Sequence, residues 1–89
     1  MTVELQSFVQ PVSPRVPQPT RITNVIATLP GSVTPERLYV VTGHYDSRVT
    51  DVMNATADAP GADDDASGVA ILLELARILA DRPLGSTLI

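Results

Sequence analysis

The chain has 89 residues, a net charge of −4 and no cysteine. A chain this short buries only about 60% of the surface its unfolded form exposes, so it builds one modest domain at most. Disulfides and thiolate metal sites are excluded, and the six basic residues, all arginine, are too scattered to form the basic stripe that nucleic acid or an anionic membrane demands.

Hydrophobic residues make up 44%, which argues against wholesale disorder. Phe8, Tyr39 and Tyr45 are the only aromatics, so any core is aliphatic. No run approaches the ~20 apolar residues of a membrane span. The opening Met-Thr-Val-Glu-Leu-Gln lacks the basic and apolar regions of a signal peptide.

In chain order, a first strand is expected at about 3–9, where Val3, Leu5 and Ser7 alternate with Glu4, Gln6 and Phe8. Pro11 to Pro19 holds four prolines. Proline lacks an N–H and fixes φ, so this stretch is extended, as either an interdomain linker or a long hairpin connection. A second strand at about 21–29 is rich in β-branched residues and ends at the Pro30-Gly31 turn. A third, at about 37–43, contains the apolar run Leu38-Tyr39-Val40-Val41, which suits a strand covered on both faces.

A long loop, 44–64, follows, and loops of that length are often functional. A helix is expected over about 66–81, with Asp65 or Ser67 as its N-cap. Leu72, Leu75, Ile78 and Leu79, with Val69, Ile71 and Ala76, form an apolar arc wide enough to want cover from more than one side. Pro83 stops the helix, and a strand starts at about Ser86. The order β-β-β-α-β, its last strand truncated, predicts a parallel crossover in an α/β sheet. Three strands and one helix cannot cover both faces of such a sheet, so residues 1–89 are expected to be an incomplete part of a larger domain.

Two groups of residues carry chemistry. His44 stands just past the third strand, at the carboxyl end where open α/β sheets place their sites. Asp46, two residues on, points the same way in extended chain. Its carboxylate can accept the imidazole N–H that does not face a metal, fixing the tautomer. The second group is Asp63-Asp64-Asp65 at the start of the helix. Most of the acids lie between Asp46 and Asp65. Their repulsion is answered by water, by the positive end of the helix, or by a divalent cation that one carboxylate bridges to a second ion. Read alone, His44 fits an ordinary histidine better than a ligand, and the acid run slightly favours capping and solvation over metal.

Read together, Val-Thr-Gly-His-Tyr-Asp-Ser, a loop, and Ala-Pro-Gly-Ala-Asp-Asp-Asp-Ala-Ser-Gly-Val-Ala before an apolar helix resemble the family twenty-eight metallopeptidases. These are co-catalytic di-zinc aminopeptidases, with glutamate-carboxypeptidase-like members among them. The resemblance spans at least Asn24 to Ile89. It implies a partial three-layer, mixed-sheet zinc-peptidase domain that would hold two Zn2+ ions when complete. It implies that His44 binds one zinc and that Asp64 bridges both. It implies that Asp46 is the carboxylate orienting His44, and that the peptide bond after Asp64 is cis.

The family's Gly-Glu-Glu segment, with its general base and a ligand, and its later Asp and His ligands have no counterpart among these residues. The expectation is therefore a zinc exopeptidase acting on peptide N-termini, with the 89-residue chain inactive alone. The rival readings are a non-catalytic interaction module and another di-zinc hydrolase of carboxypeptidase or amidohydrolase type. No nucleic-acid partner and no membrane span are expected, and the resemblance leans toward a secreted or periplasmic protein.

Overall fold

The computed structural model describes residues 1–89. Strands β1 (Thr2–Gln10) and β2 (Thr20–Thr28) form a long antiparallel hairpin in continuous register from Thr2–Thr28 to Gln10–Thr20. Cross-strand side chains fasten it on both faces. The Ser7 and Thr23 hydroxyls lie 2.8 Å apart, and Asn24 Nδ2 donates to Gln6 Oε1 at 3.0 Å. Such pairs contribute about 0.2–1 kcal/mol each. The proline-rich stretch is the hairpin's connection and not a linker. Ser13 and Val16 exchange backbone hydrogen bonds of 2.9 and 3.0 Å at its tip.

Strand β3 (Thr34–Tyr39) pairs in parallel with β4 (Ser86–Leu88), the crossover running through helix α1 (Ser67–Leu79). Strand β4 also meets the end of β2. Leu29 and Leu88 exchange N–H···O bonds of 2.8 and 3.0 Å in antiparallel sense. Strand β4 therefore stands between the two older pieces of sheet and makes it mixed.

The third strand departs from the expected 37–43 at both ends. It begins earlier, at Thr34, because it bulges. Thr34 opposes Ser86, yet the next pair is Leu38–Thr87. Pro35, which has no N–H to give a ladder, sits inside that irregularity. It ends earlier, at Tyr39, although the Val41 N–H still reaches the carbonyl of Ile89 at 2.9 Å.

The helix is shorter than expected. A wide turn, Ala62–Ala66, precedes it, with the Ala66 N–H bonded to the Gly61 carbonyl at 2.9 Å. No side chain caps α1. The Ser67 hydroxyl bonds back to the Asp63 carbonyl at 3.2 Å, and Asp65 turns elsewhere, so neither expected cap forms.

Only Leu29, 7% exposed, and Thr87, 6% exposed, are buried. The Thr87 hydroxyl accepts the Gly31 N–H at 3.0 Å and donates to the Pro35 carbonyl at 2.7 Å, locking the turn after β2 to the bulge of β3. A β-carbon on Gly31 would overlap the Ser86–Thr87 backbone, so this crossing needs glycine. Helix α1 half-covers Val69, Leu72, Leu75, Ala76 and Leu79, at helical spacing, and leaves Ile71, Leu73 and Ile78 in solvent. Leu38, Tyr39, Val40 and Val41, expected to be covered on both faces, are exposed. The radius of gyration, 16.4 Å, exceeds the roughly 12 Å of a compact domain of this length.

Candidate metal centre

The chain leaves β3 through Val40–Thr42 and delivers His44 at the sheet's carboxyl end. The wide turn at Ala62–Ala66 brings the acid triplet back to it from the far end of the loop. The two limbs of the loop close on each other at Gly61, where a β-carbon would lie 2.8 Å from that of Ser47. Tyr45 ties the outgoing limb to the hairpin by donating its hydroxyl to the Thr23 carbonyl at 3.0 Å.

His44 Nε2 lies 2.9 Å from Asp64 Oδ1. On the other side of the ring, Nδ1 lies 3.0 Å from the main-chain carbonyl of Asp46 and 3.4 Å from its carboxylate oxygen Oδ1. The nearest group orienting the ring is the backbone of Asp46, with the carboxylate behind it. Nδ1 is the ring nitrogen closer to the chain, so the carbonyl two residues on comes within its reach.

The tautomer follows. A carbonyl only accepts, so Nδ1 carries the proton and Nε2 of a neutral imidazole presents its lone pair. That lone pair faces a carboxylate oxygen. Two electron-rich atoms at 2.9 Å call for a positive charge shared between them, either a second proton on the ring or a metal ion. The contact with the Asp46 carbonyl is the largest influence raising the His44 pKa above its ordinary 6.5. Desolvation, next in size, opposes it, and the bond to Asp64 and the charges of both carboxylates add to the rise.

The pair fits a zinc ion. Nitrogen and oxygen donors lie about 2.0–2.2 Å from zinc, so one ion can touch two atoms 2.9 Å apart. The contact with His44 engages only Oδ1 of Asp64. No group of three or more His, Cys, Asp or Glu side chains converges, so the pair could offer at most two of the three donors a catalytic zinc needs. The peptide bond Asp64–Asp65 is cis.

Asp65 has a role that sequence reasoning missed. Its Oδ2 accepts the backbone N–H of His44 at 3.3 Å, so it holds the histidine's main chain while Asp64 faces the histidine's ring. Two glycines make room for it. A β-carbon on Gly68 would overlap the Asp65 carboxylate. One on Gly43 would come within 3.2 Å of Asp65 Oδ2 and 3.0 Å of Leu72 Cδ1. Helical spacing does not mark this role, because Asp65 (φ −140°, ψ 33°) lies outside the helix to which Gly68 belongs.

Comparison with known proteins identifies the family. The sequence profile described as Peptidase family M28 matches residues 24–89. A protein of Leptosphaeria maculans named "Probable zinc metalloprotease" is 67% identical over 89 residues, covering 100% of this chain and 21% of its own length. Proteins of the same name from Pyrenophora teres f. teres and Pyricularia oryzae are 62% and 58% identical, each over 100% of this chain and 18% of their own length. The chain thus spans about one fifth of these curated relatives. No solved structure matches it significantly. With nearly three quarters of its length inside the family's profile, His44 and Asp64 included, the chain belongs to Peptidase family M28.

Proposed function

We propose that these residues are part of a zinc-dependent aminopeptidase whose complete form holds two zinc ions and releases amino acids from peptide N-termini. The observation that carries this reading is the 2.9 Å approach of His44 Nε2 to Asp64 Oδ1, with Nδ1 already committed to the Asp46 carbonyl. The name zinc metalloprotease carried by relatives supports the metal and the reaction class.

Zinc, when bound, lowers the pKa of a coordinated water and polarises the scissile carbonyl. His44 offers a neutral lone pair in a tautomer set by the Asp46 carbonyl. Asp64 offers one oxygen beside that lone pair and a second for a neighbouring ion. Asp46 and Asp65 hold the histidine by ring and by main chain. A general base and the remaining ligands come, in this proposal, from other parts of the complete protein, which makes the 89-residue chain inert by itself. Export of the complete protein belongs to the same proposal and rests on the family resemblance.

The test uses the complete protein against leucyl p-nitroanilide and a panel of N-acyl amino acids. The expected result is zinc-dependent release of nitroaniline, abolished by chelation and reduced at least ~100-fold by His44→Ala or Asp64→Ala, a loss larger than that seen for residues that merely support a ligand. Preference for the N-acyl substrates would transfer the protein to the carboxypeptidase or amidohydrolase type. Zinc-dependent activity in the 89-residue chain would overturn the claim that it is inert.

A further inference from the structure

Midway along the loop between His44 and Asp64 lies Asn54-Ala55-Thr56, which the metal centre does not use. An Asn-x-Thr triplet with a middle residue other than proline is the acceptor pattern for N-linked glycans. The pattern alone recurs by chance, and the geometry here adds three observations.

Residues 51–60 are all exposed and belong to no strand or helix, so no ladder must break for an enzyme to engage them. The Asn54 carboxamide oxygen accepts the Thr56 N–H at 3.1 Å, the Thr56 hydroxyl at 3.2 Å and the Ala57 N–H at 3.1 Å. The hydroxyl that defines the acceptor triplet therefore already sits against the carboxamide, whose oxygen is occupied and whose nitrogen is left to the outside. The one other asparagine, Asn24, is an internal contrast. It is followed by Val25-Ile26, and its nitrogen is spent on Gln6 within the hairpin.

We propose that Asn54 is an N-glycosylation site, and hence that the complete protein passes through a compartment where such glycans are transferred. The donor is a lipid-pyrophosphate-linked oligosaccharide. The Asn54 Nδ2 attacks C1 of its first sugar and the N–C1 bond forms. The bond from C1 to the pyrophosphate oxygen breaks, and the lipid pyrophosphate leaves with that electron pair. One amide proton passes to a base on the transferase, and nothing is oxidised or reduced.

The experiment expresses the complete protein in a secreting yeast and cleaves it after arginine. Cleavage at Arg48 and Arg77 gives one peptide, Val49 to Arg77, in which Asn54 is the sole asparagine. The expected result is a glycan-bearing peptide that an N-glycan amidase, run in heavy-oxygen water, converts to aspartate carrying the label at position 54. Thr56→Ala loses the glycan with Asn54 still present, Thr56→Ser keeps it, and Asn54→Gln loses it. Recovery of the wild-type peptide wholly unmodified, from medium or from cells, overturns the proposal. So does a glycan that survives Thr56→Ala. The peptide mass reads the wild-type protein directly, so the answer does not depend on any variant folding. Because it reads no catalysis, it stands or falls apart from the aminopeptidase reading.

Discussion

The carboxylate of Asp65 holds the main chain of His44, its Oδ2 lying 3.3 Å from the histidine's N–H across the gap left by Gly68 and Gly43. Neighbouring carboxylates in one sequence run thus serve one histidine at two levels. Asp64 faces its ring, and Asp65 anchors its backbone. Replacing Asp65 by Ala in the complete protein removes the anchor while sparing both expected ligands. Zinc affinity, measured by calorimetric titration, is expected to fall about 10–100-fold, the range for partners that support a ligand. Asp65→Asn, which keeps a side-chain oxygen, is expected to fall between wild type and Ala.

Gly68 is predicted to be indispensable only while Asp65 is present. The change Gly68→Ala puts a methyl onto the Asp65 carboxylate and is expected to lower both melting temperature and zinc affinity. In an Asp65→Ala background the collision vanishes. Alanine then gains its usual helix advantage over glycine, about 0.5–1 kcal/mol. A double-mutant cycle by thermal denaturation reads this coupling directly. Equal costs of Gly68→Ala in both backgrounds would remove Asp65 from the explanation.

Proton and metal compete for His44 Nε2. Since the contacts of His44 hold its pKa above 6.5, with the Asp46 carbonyl foremost, zinc affinity is expected to weaken as pH falls through a point above 6.5. The metal-free protein behaves in the opposite sense. The contacts of the charged ring favour the folded loop fully below pH 6.5, and this support is lost as pH rises through the raised value. Zinc titrations at a series of pH values check the first statement. Because the leading influence is main chain, Asp46→Asn is expected to cost no more than the low end of the ~10–100-fold range. A loss as large as that of His44→Ala would restore the carboxylate to the principal role.

Thr87 joins two turns through one hydroxyl. Its replacement by Val strands the Gly31 N–H and the Pro35 carbonyl in a half-buried setting, at a cost of about 1–3 kcal/mol. Thr87→Ser keeps both bonds and loses about one methyl's worth of burial, ~0.8 kcal/mol. Chemical denaturation of the two variants of the complete protein separates hydrogen bonding from packing at this joint.

With only Leu29 and Thr87 buried, the isolated 89-residue chain is expected to associate or to lack cooperative unfolding. Size-exclusion chromatography with far-ultraviolet circular dichroism decides the point. A sharp, concentration-independent melt of a monomer would contradict it.

Much of this architecture was legible in the residues. The β-branched run through Asn24–Leu29 and the alternation after Val3 placed the hairpin within a residue or two, since side-chain period and propensity agree there. The apolar arc of α1 and the Pro83 stop placed the helix, and His44 and Asp64 do face each other. What local rules could not supply were features made by two distant segments. The early start of β3 depends on a bulge that tolerates Pro35 opposite β4. The helix lacks a side-chain cap because the natural candidate, Asp65, is drawn away by a main-chain donor 21 residues earlier. Likewise, Asp46 contributes chiefly a carbonyl, which every residue has and no sequence pattern can mark.

The parallel pairing of β3 with β4 also bears on the order of events during synthesis. His44 and Asp64 are 20 residues apart, whereas Thr87 reaches back 52 residues to Pro35. Closing the shorter loop costs roughly 0.8 kcal/mol less entropy than closing the longer one. It is also available first, because the ribosome releases Asp64 more than twenty residues before Thr87. The nascent chain thus contains the histidine and its carboxylate partner before the strand that will fix β3 in the sheet exists. An ion captured at that stage would act as a temporary crosslink, biasing the loop toward its final path while the sheet waits for its middle strand.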